Sequence, residues 1–302
     1  MMKSKLSLRN SVRRAPLLNL IFIFLLFSSG CTSSTTPTFQ KEDIVDAVRD
    51  ICKKEHNLDV KARLAGSTLW VFLPVEDILT QAEKPEKMIE RFTVAENKEE
   101  VSGGVIKVDY SIQNVVPEVE KSQQVVYNKD VLEKVNNVLQ VLMRVVLSME
   151  RLKRGEPKFF YMATGDIKNG LLMQEIFYIL DIKKVTYGFI SREEYQHRLV
   201  QDMQFIPELI GDKEGLSVEY RDITMEEFIT AQIRGRIQIK FQRPEAQKDA
   251  DIDKEILKIV AYVLKTYDYK DFSIVELNNL LSGKKTLLNR AAILTKTSEQ
   301  KY

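Results

Sequence analysis

Hydrophobic residues recur at helical spacing in three long stretches of the chain. From a cap at Asn128 to a stop at Gly155, apolar residues repeat at alternating steps of four and three positions, which predicts a helix. Further apolar residues widen this stripe beyond a narrow coiled-coil seam, so packing on a sheet is favoured over an oligomer seam. Two more helices are predicted over 41–55 and 251–267.

Alternating apolar and polar residues predict the strands. Strands over 60–64 and 68–73 should form a hairpin about Gly66 and Ser67, and the alternation returns at 106–112 after a glycine pair. Capping residues predict short helices that begin at 191 and at 224, and another short helix is expected near 76–82. We expect further strands at 158–163, 171–180, 184–190, 216–223, 236–241, 272–277 and 286–293.

Together these elements predict an α+β fold in which antiparallel sheet is packed by long amphipathic helices. A helix followed by a strand pair recurs near 41–74, 128–190 and 251–294, which suggests three helix–strand–strand units. The spacings are unequal and the residues do not visibly align, so whether the units are true repeats stays open. The expected units are N-terminal (41–120), central (121–212) and C-terminal (213–302).

The first 31 residues have the order of an export signal. Five basic residues precede the apolar run 17–27, and small residues then lead into Cys31. This order resembles a bacterial lipoprotein signal peptide, in which the chain is cut between Gly30 and Cys31 and the cysteine then carries acyl chains. The apolar run of about 11 residues is shorter than the roughly 20 that a spanning helix needs. A removable signal (1–30) is therefore favoured over an uncleaved anchor, with an ordinary unlipidated cleavage as the alternative.

The resemblance also implies where the protein is held. Residues 31–40 become the acylated cysteine and a short polar tether, so the expected partner is a lipid bilayer. In two-membrane bacteria, an aspartate after the cysteine usually retains a lipoprotein in the inner membrane. Thr32 stands there in this chain, which implies the outer membrane, facing the periplasm, if the organism has two membranes.

Charge argues against nucleic-acid binding, and the cysteine content argues against a disulfide. The segment before Cys31 holds five of the 45 basic residues and none of the 43 acidic ones, which leaves the mature chain a net charge of −3. This balance gives no electrostatic footprint for nucleic acid. If Cys31 is acylated, Cys52 has no disulfide partner, and its apolar helical face favours a small buried side chain.

Three candidate binding sites lack residues that their chemistry requires. Residues 282–286 look like a phosphate-binding loop but lack its first glycine and have Lys285 where serine or threonine is required. Residues 164–170 have the small polar character of a calcium loop without its alternating acidic ligands. His56 and His197 offer no metal-binding cluster. We therefore assign no catalytic, metal-binding or cofactor-binding residue.

The sequence leaves three classes of function open. The leading hypothesis is a membrane-anchored envelope lipoprotein that is non-catalytic and binds other proteins or supports an assembly. The alternatives are an envelope enzyme acting on cell-wall or glycan substrates and a small-molecule-binding lipoprotein. A pocket with converging ionisable residues would favour the alternatives, whereas an exposed apolar patch or an open sheet edge would favour a protein partner.

Overall fold

Two β-sheets, each covered by helices, form an α+β fold, as the sequence predicts. Each sheet contains one parallel pair of strands, whereas the sequence predicted antiparallel sheet. The computed structural model describes residues 44–148, 157–242 and 251–296. The predicted Gly155 helix stop, the leader and the tether lie outside these ranges. No helix in the described ranges is long and apolar enough to cross a membrane.

The first sheet has five strands in the order β1 (Lys61–Ala65), β2 (Thr68–Val75), β5 (Phe159–Asp166), β6 (Leu171–Tyr178) and β7 (Val200–Phe205). β2 and β5 run parallel, and the other neighbouring pairs are antiparallel. Gly66 and Ser67 form the predicted turn, since Ala65 pairs with Thr68 directly after it.

Both faces of this sheet are buried along its central strands, β2 and β5. Helices α1 (Ile44–His56) and α2 (Lys129–Leu147) cover one face, and the Asn128 side chain caps α2 by accepting a hydrogen bond from the Asp130 amide. On the other face, Trp70 stacks on Tyr161 with ring centroids 3.7 Å apart. Each fully buried large apolar side chain contributes about 1.5–3 kcal/mol, so the double covering makes this sheet the main core.

The second sheet has four strands in the order β3 (Leu79–Ser102), β4 (Val105–Tyr127), β8 (Ile274–Asn279) and β9 (Lys284–Asn289). β4 and β8 run parallel. The remaining helices are α3 (Ile179–Thr186), α4 (Arg192–His197), α5 (Met225–Gln242), α6 (Ile252–Thr266) and α7 (Arg290–Lys296). Helix α5 buries Ile229, Ile233, Ile237 and Phe241 at a spacing of four residues, and α6 completes this core.

Each sheet takes strands from more than one of the units expected from the sequence. β2 lies in the range 41–120 and pairs with β5 of the range 121–212. β4 of the first range pairs with β8 of the range 213–302. The chain therefore passes from β2 of the first sheet into the long β3–β4 hairpin of the second sheet. It then comes back to the first sheet at α2.

Several local predictions were wrong. The expected helix at 76–82 is a bend followed by the start of β3, and the expected strand at 184–190 is the end of α3 and a loop. Residues 216–223 form a loop, and residues 236–241 belong to α5. The strand expected at 286–293 ends at Asn289, where α7 begins, and β7 has no counterpart in the sequence prediction.

Candidate functional site

A two-stranded arm is the most exposed part of the described fold. We define the arm as residues 80–91 of β3 and 113–127 of β4. Among arm residues whose side chains are described, none is buried, whereas the same strands are buried at Phe92 and Ile112 beside the second sheet's helices. The arm is therefore a ribbon with both faces open to solvent.

Ion pairs and bulges shape the arm. Lys87 pairs with Glu120 at 2.7 Å and Lys121 with Glu90 at 2.7 Å, each across the two strands. The register shifts between Gln81 and Glu86, and again between Glu90 and Phe92. Exposed ion pairs are worth about 0.2–1 kcal/mol each, and an isolated two-stranded ribbon is only marginally stable in water. The arm thus has little packing of its own to keep it ordered.

Large apolar side chains are exposed along the arm. Val116 is 86% exposed, and Val125 and Val126 are 39% and 37% exposed. Ile89 and Tyr127 add 43% and 46% exposure on the two strands. An open ribbon that combines apolar side chains with unpaired strand edges suits contact with another polypeptide.

An open groove of about 520 Å³ lies beside the turn that joins β3 to β4. The turn residues Gly103 and Gly104 both have positive φ, as a tight two-residue hairpin requires. The groove is lined by residues 101–104 and 269–273, with Glu226 and Arg290 at its sides. This concave feature brings several ionisable groups together.

The polar groups of the groove are largely engaged with one another. The Tyr269 hydroxyl donates to Glu226 at 3.3 Å, and Arg290 Nη1 donates to the Lys270 carbonyl at 2.9 Å. Burial, with the nearby Glu226 carboxylate, raises the pKa of Tyr269 to about 12, so its hydroxyl keeps its proton. The lining contains neither histidine nor cysteine. This chemistry suits binding of a small polar ligand better than nucleophilic or acid–base catalysis.

A buried ionic network joins α3, α4, α5 and α6. Arg198 Nη1 donates to Asp181 at 2.8 Å, and its Nε donates to Glu194 at 2.7 Å. The Tyr262 hydroxyl also donates to Glu194, and Arg236 lies 3.5 Å from the same carboxylate. Burial alone would raise the pKa of Glu194, but these hydrogen bonds and charges hold it below its ordinary value. The network ties the helices of the two sheets together.

A second buried carboxylate lies between β3 and α5. Glu99 Oε2 accepts a hydrogen bond from Arg234 Nε at 3.0 Å, while Oε1 has no hydrogen-bond partner among the described residues. Burial raises the pKa of Glu99 to about 7, although Arg234 opposes the shift. Glu99 therefore changes its charge near neutral pH.

The structure settles the environment of several residues that the sequence singled out. Cys52 is fully buried in the first core, and burial raises the pKa of its thiol to about 11. Asp166 lies in the loop that lacks the ligands of a calcium site. Its carboxylate accepts hydrogen bonds from the backbone amides of Ile78, Lys168 and Asn169 and so stabilises the turn.

Other singled-out residues are not brought together, and two lie beyond the described chain. His56 ends α1 and His197 ends α4, and no group of metal-ligating residues occurs in the described ranges. Gly30 and Cys31 lie outside the described residues. The arm was missed because its charged, two-sided strands leave no periodic apolar face. Comparisons of the chain with protein-family models, characterised proteins and solved structures found no match.

Proposed function

We propose that this protein is a membrane-anchored lipoprotein of the cell envelope that binds another protein through the arm and catalyses no reaction. In this proposal Cys31 carries the acyl chains, and the folded body lies outside the cytoplasm, close to the bilayer. If the organism has two membranes, the protein is attached to the outer membrane and faces the periplasm. The leader sequence supports attachment to the membrane through Cys31, and the exposed arm supports a protein as the binding partner.

The exposure of both faces of the arm is the observation that carries the binding role. A two-stranded ribbon gains stability when a third strand or a packing surface covers it. Its backbone edges supply hydrogen bonds for such a partner, and its exposed valines supply apolar area. The net charge of −3 in the mature chain makes nucleic acid a poor candidate for that partner.

The anchor is tested by changing the cysteine. In cells, Cys31→Ala should move the protein from the membrane fraction to the soluble fraction and remove labelling by a fatty-acid analogue. Cys52→Ala is the matched control, because it removes the other cysteine and should leave both readouts unchanged. An unlipidated mature amino terminus in mass spectrometry of the wild-type protein would refute the anchor.

The partner is tested by site-specific photocrosslinking in intact envelopes. A photoreactive residue at Val116 should give discrete adducts with protein, whereas one at Leu287, which is exposed to 59% on β9, should give far fewer. Equal adduct patterns at both positions would contradict a binding role for the arm. Turnover of a cell-wall or glycan substrate by the purified protein would instead support the enzyme hypothesis.

The groove gives a second candidate function, which is binding of a small polar ligand. Its lining holds two basic side chains, Lys270 and Arg290, and two acidic ones, Glu226 and Asp271, so it offers partners to charged groups of either sign on a small ligand. Thermal-shift measurements with simple carboxylates and phosphates test this role, with Lys270→Gln as the variant that should lose any stabilisation. A panel that produces no shift in the wild-type protein would remove this candidate.

A further inference from the structure

The carboxyl end of α3 exposes three large apolar side chains. Phe189 is 78% exposed, Tyr187 is 59% exposed and Leu180 is 46% exposed. Positions 180 and 187 lie about two helical turns apart and therefore on the same side of the helix. Single exposed apolar residues are normal on a protein surface, but a group that includes two aromatic rings indicates a contact site.

The backbone at this helix end holds Phe189 beside the helix without burying it. The Gly188 amide donates to the Val185 carbonyl at 3.2 Å, and the Phe189 amide donates to the Lys184 carbonyl at 2.8 Å. Gly188 has positive φ, which completes a Schellman motif. The apolar residue after the glycine of this motif often packs back on the helix, whereas Phe189 stays exposed to solvent.

The exposed charge around these apolar residues is positive. Within residues 180–192, three basic residues carry it: Lys183, Lys184 and Arg192. The acidic residue in this range, Asp181, is 1% exposed and accepts a hydrogen bond from Arg198 at 2.8 Å. Glu193 follows at the start of α4, where it hydrogen bonds to Ser191. A basic surface thus stands on a mature chain whose net charge is −3. We define the α3 patch as Leu180, Lys183, Lys184, Tyr187, Phe189 and Arg192.

We propose that the α3 patch docks on the surface of a lipid bilayer that contains anionic headgroups. Aromatic rings together with lysine and arginine are the side chains typical of membrane–water interfaces. The rings of Tyr187 and Phe189 enter the interfacial layer, and the basic side chains attract the headgroup phosphates. This inference goes beyond the protein-binding role proposed for the arm, and it rests on the proposed lipid anchor for the choice of occupant.

Attachment through Cys31 favours a bilayer over an acidic protein as that occupant. The chain from Cys31 to Ile44, where the described structure begins, reaches at most about 45 Å, at roughly 3.5 Å per residue. An acylated Cys31 therefore keeps the folded body near the bilayer, so the patch meets lipid at a high effective concentration. An acidic protein would meet the same charges without this advantage.

Vesicle flotation tests the α3 patch on the mature chain with Cys31→Ala, so that any binding comes from the folded body. This protein should bind vesicles of phosphatidylethanolamine with phosphatidylglycerol, and it should bind vesicles of phosphatidylcholine alone far more weakly. Lys183→Gln with Arg192→Gln should weaken the binding about 25-fold, since each basic residue near an anionic surface contributes about 1 kcal/mol. Tyr187→Ser with Phe189→Ser should weaken it by about tenfold or more, because the buried aromatic area is lost.

The matched controls remove the same kinds of side chain elsewhere. Phe205→Ser, at a ring that is 66% exposed on β7, and Lys213→Gln, in the loop that follows, should leave vesicle binding unchanged. Thermal unfolding of each variant shows that the fold is retained, since all these changes lie on the surface. Absence of vesicle binding, or an equal loss in the controls, would overturn the inference.

Crosslinking in intact envelopes separates this inference from the proposed function. A photoreactive residue at position 189 should give lipid adducts, and protein adducts there would overturn the inference in favour of an acidic protein. Failure of the patch to bind vesicles, while Cys31 is acylated and Val116 crosslinks to protein, would refute the α3 patch alone. An unlipidated Cys31 or an arm without adducts, combined with normal vesicle binding, would refute the proposed function and leave the patch standing.

Discussion

Replacing Arg198 by methionine should remove the central link of the buried ionic network. The Arg198 side chain is 10% exposed and that of Asp181 is 2% exposed, so the pair is shielded from water. Without the guanidinium, the cationic partner that remains for Asp181 among the described residues is Lys184, whose Nζ lies 3.6 Å away. Breaking a buried ion pair from one side costs about 3–5 kcal/mol, because the remaining charge stays buried without compensation. We expect Arg198→Met to lose stability in that range.

A double variant separates the contribution of the ion pair to the free energy of unfolding from the cost of leaving one buried charge unpaired. Replacing both partners, as Asp181→Leu with Arg198→Met, should lose much less than Arg198→Met alone, since apolar replacements of buried pairs are often close to neutral. Arg49→Met is the control for an exposed pair: Arg49 contacts Asp46, and both side chains are more than half exposed. That change should alter the free energy of unfolding by less than about 1 kcal/mol.

Urea unfolding monitored by fluorescence measures these differences, and the single tryptophan makes the signal specific. Trp70 is buried and stacked on Tyr161, so its emission should change when the first sheet opens. A loss below about 1 kcal/mol for Arg198→Met would refute the reasoning. So would a double variant as unstable as the sum of its two single changes.

Three further predictions concern other parts of the fold. Because the pKa of Glu99 is raised to about 7 from an ordinary value of 4.5, its contribution to stability is present in full below pH 4.5 and is lost as the pH rises to about 7. Glu99→Gln should therefore gain stability relative to wild type by up to about 1.4 kcal/mol per pH unit over that window, measured by urea unfolding at several pH values. Gly66→Ala should lose more stability than Gly283→Ala: both glycines have positive φ, but a Cβ at Gly66 would meet Asp222 at 2.3 Å and one at Gly283 would meet nothing within 4 Å. Equal losses in thermal unfolding would contradict that account. Cys52 should resist alkylation in the folded protein and react fully in denaturant, and rapid labelling under native conditions would show that the first core is open.

The sequence predicted elements well where one period of apolar residues dominates. The Asn128 cap and the alternating steps of four and three that follow it identified α2, and the Gly66 turn identified the first hairpin. In α5, residues 236–241 were misinterpreted because Ile237, Ile239 and Phe241 alternate like a strand. The buried positions are instead Ile233, Ile237 and Phe241, one helical turn apart, which shows that tertiary packing chose the helical period.

The arm and the sheet pairing could not be obtained from local pattern. Both faces of the arm are exposed, so no apolar stripe marks residues 80–91. The short-range signals at its start, over 76–82, were interpreted as a helix. The parallel pairing of β2 with β5 joins residues 91 positions apart, such as Thr68 and Phe159. Such pairing depends on contacts between distant parts of the chain, and a short stretch of sequence carries no information about those contacts.

Hydrogen exchange at the arm tests the central claim most directly. Backbone amides of residues 113–127 that do not pair with β3 should exchange quickly in dilute purified protein, because the structure leaves that edge open. In intact envelopes, a bound polypeptide should slow the exchange of the same amides by at least tenfold, while the exposed β9 strand should exchange equally in both preparations. Equal, fast exchange of the arm in envelopes and in dilute solution would contradict its role as a protein-binding site.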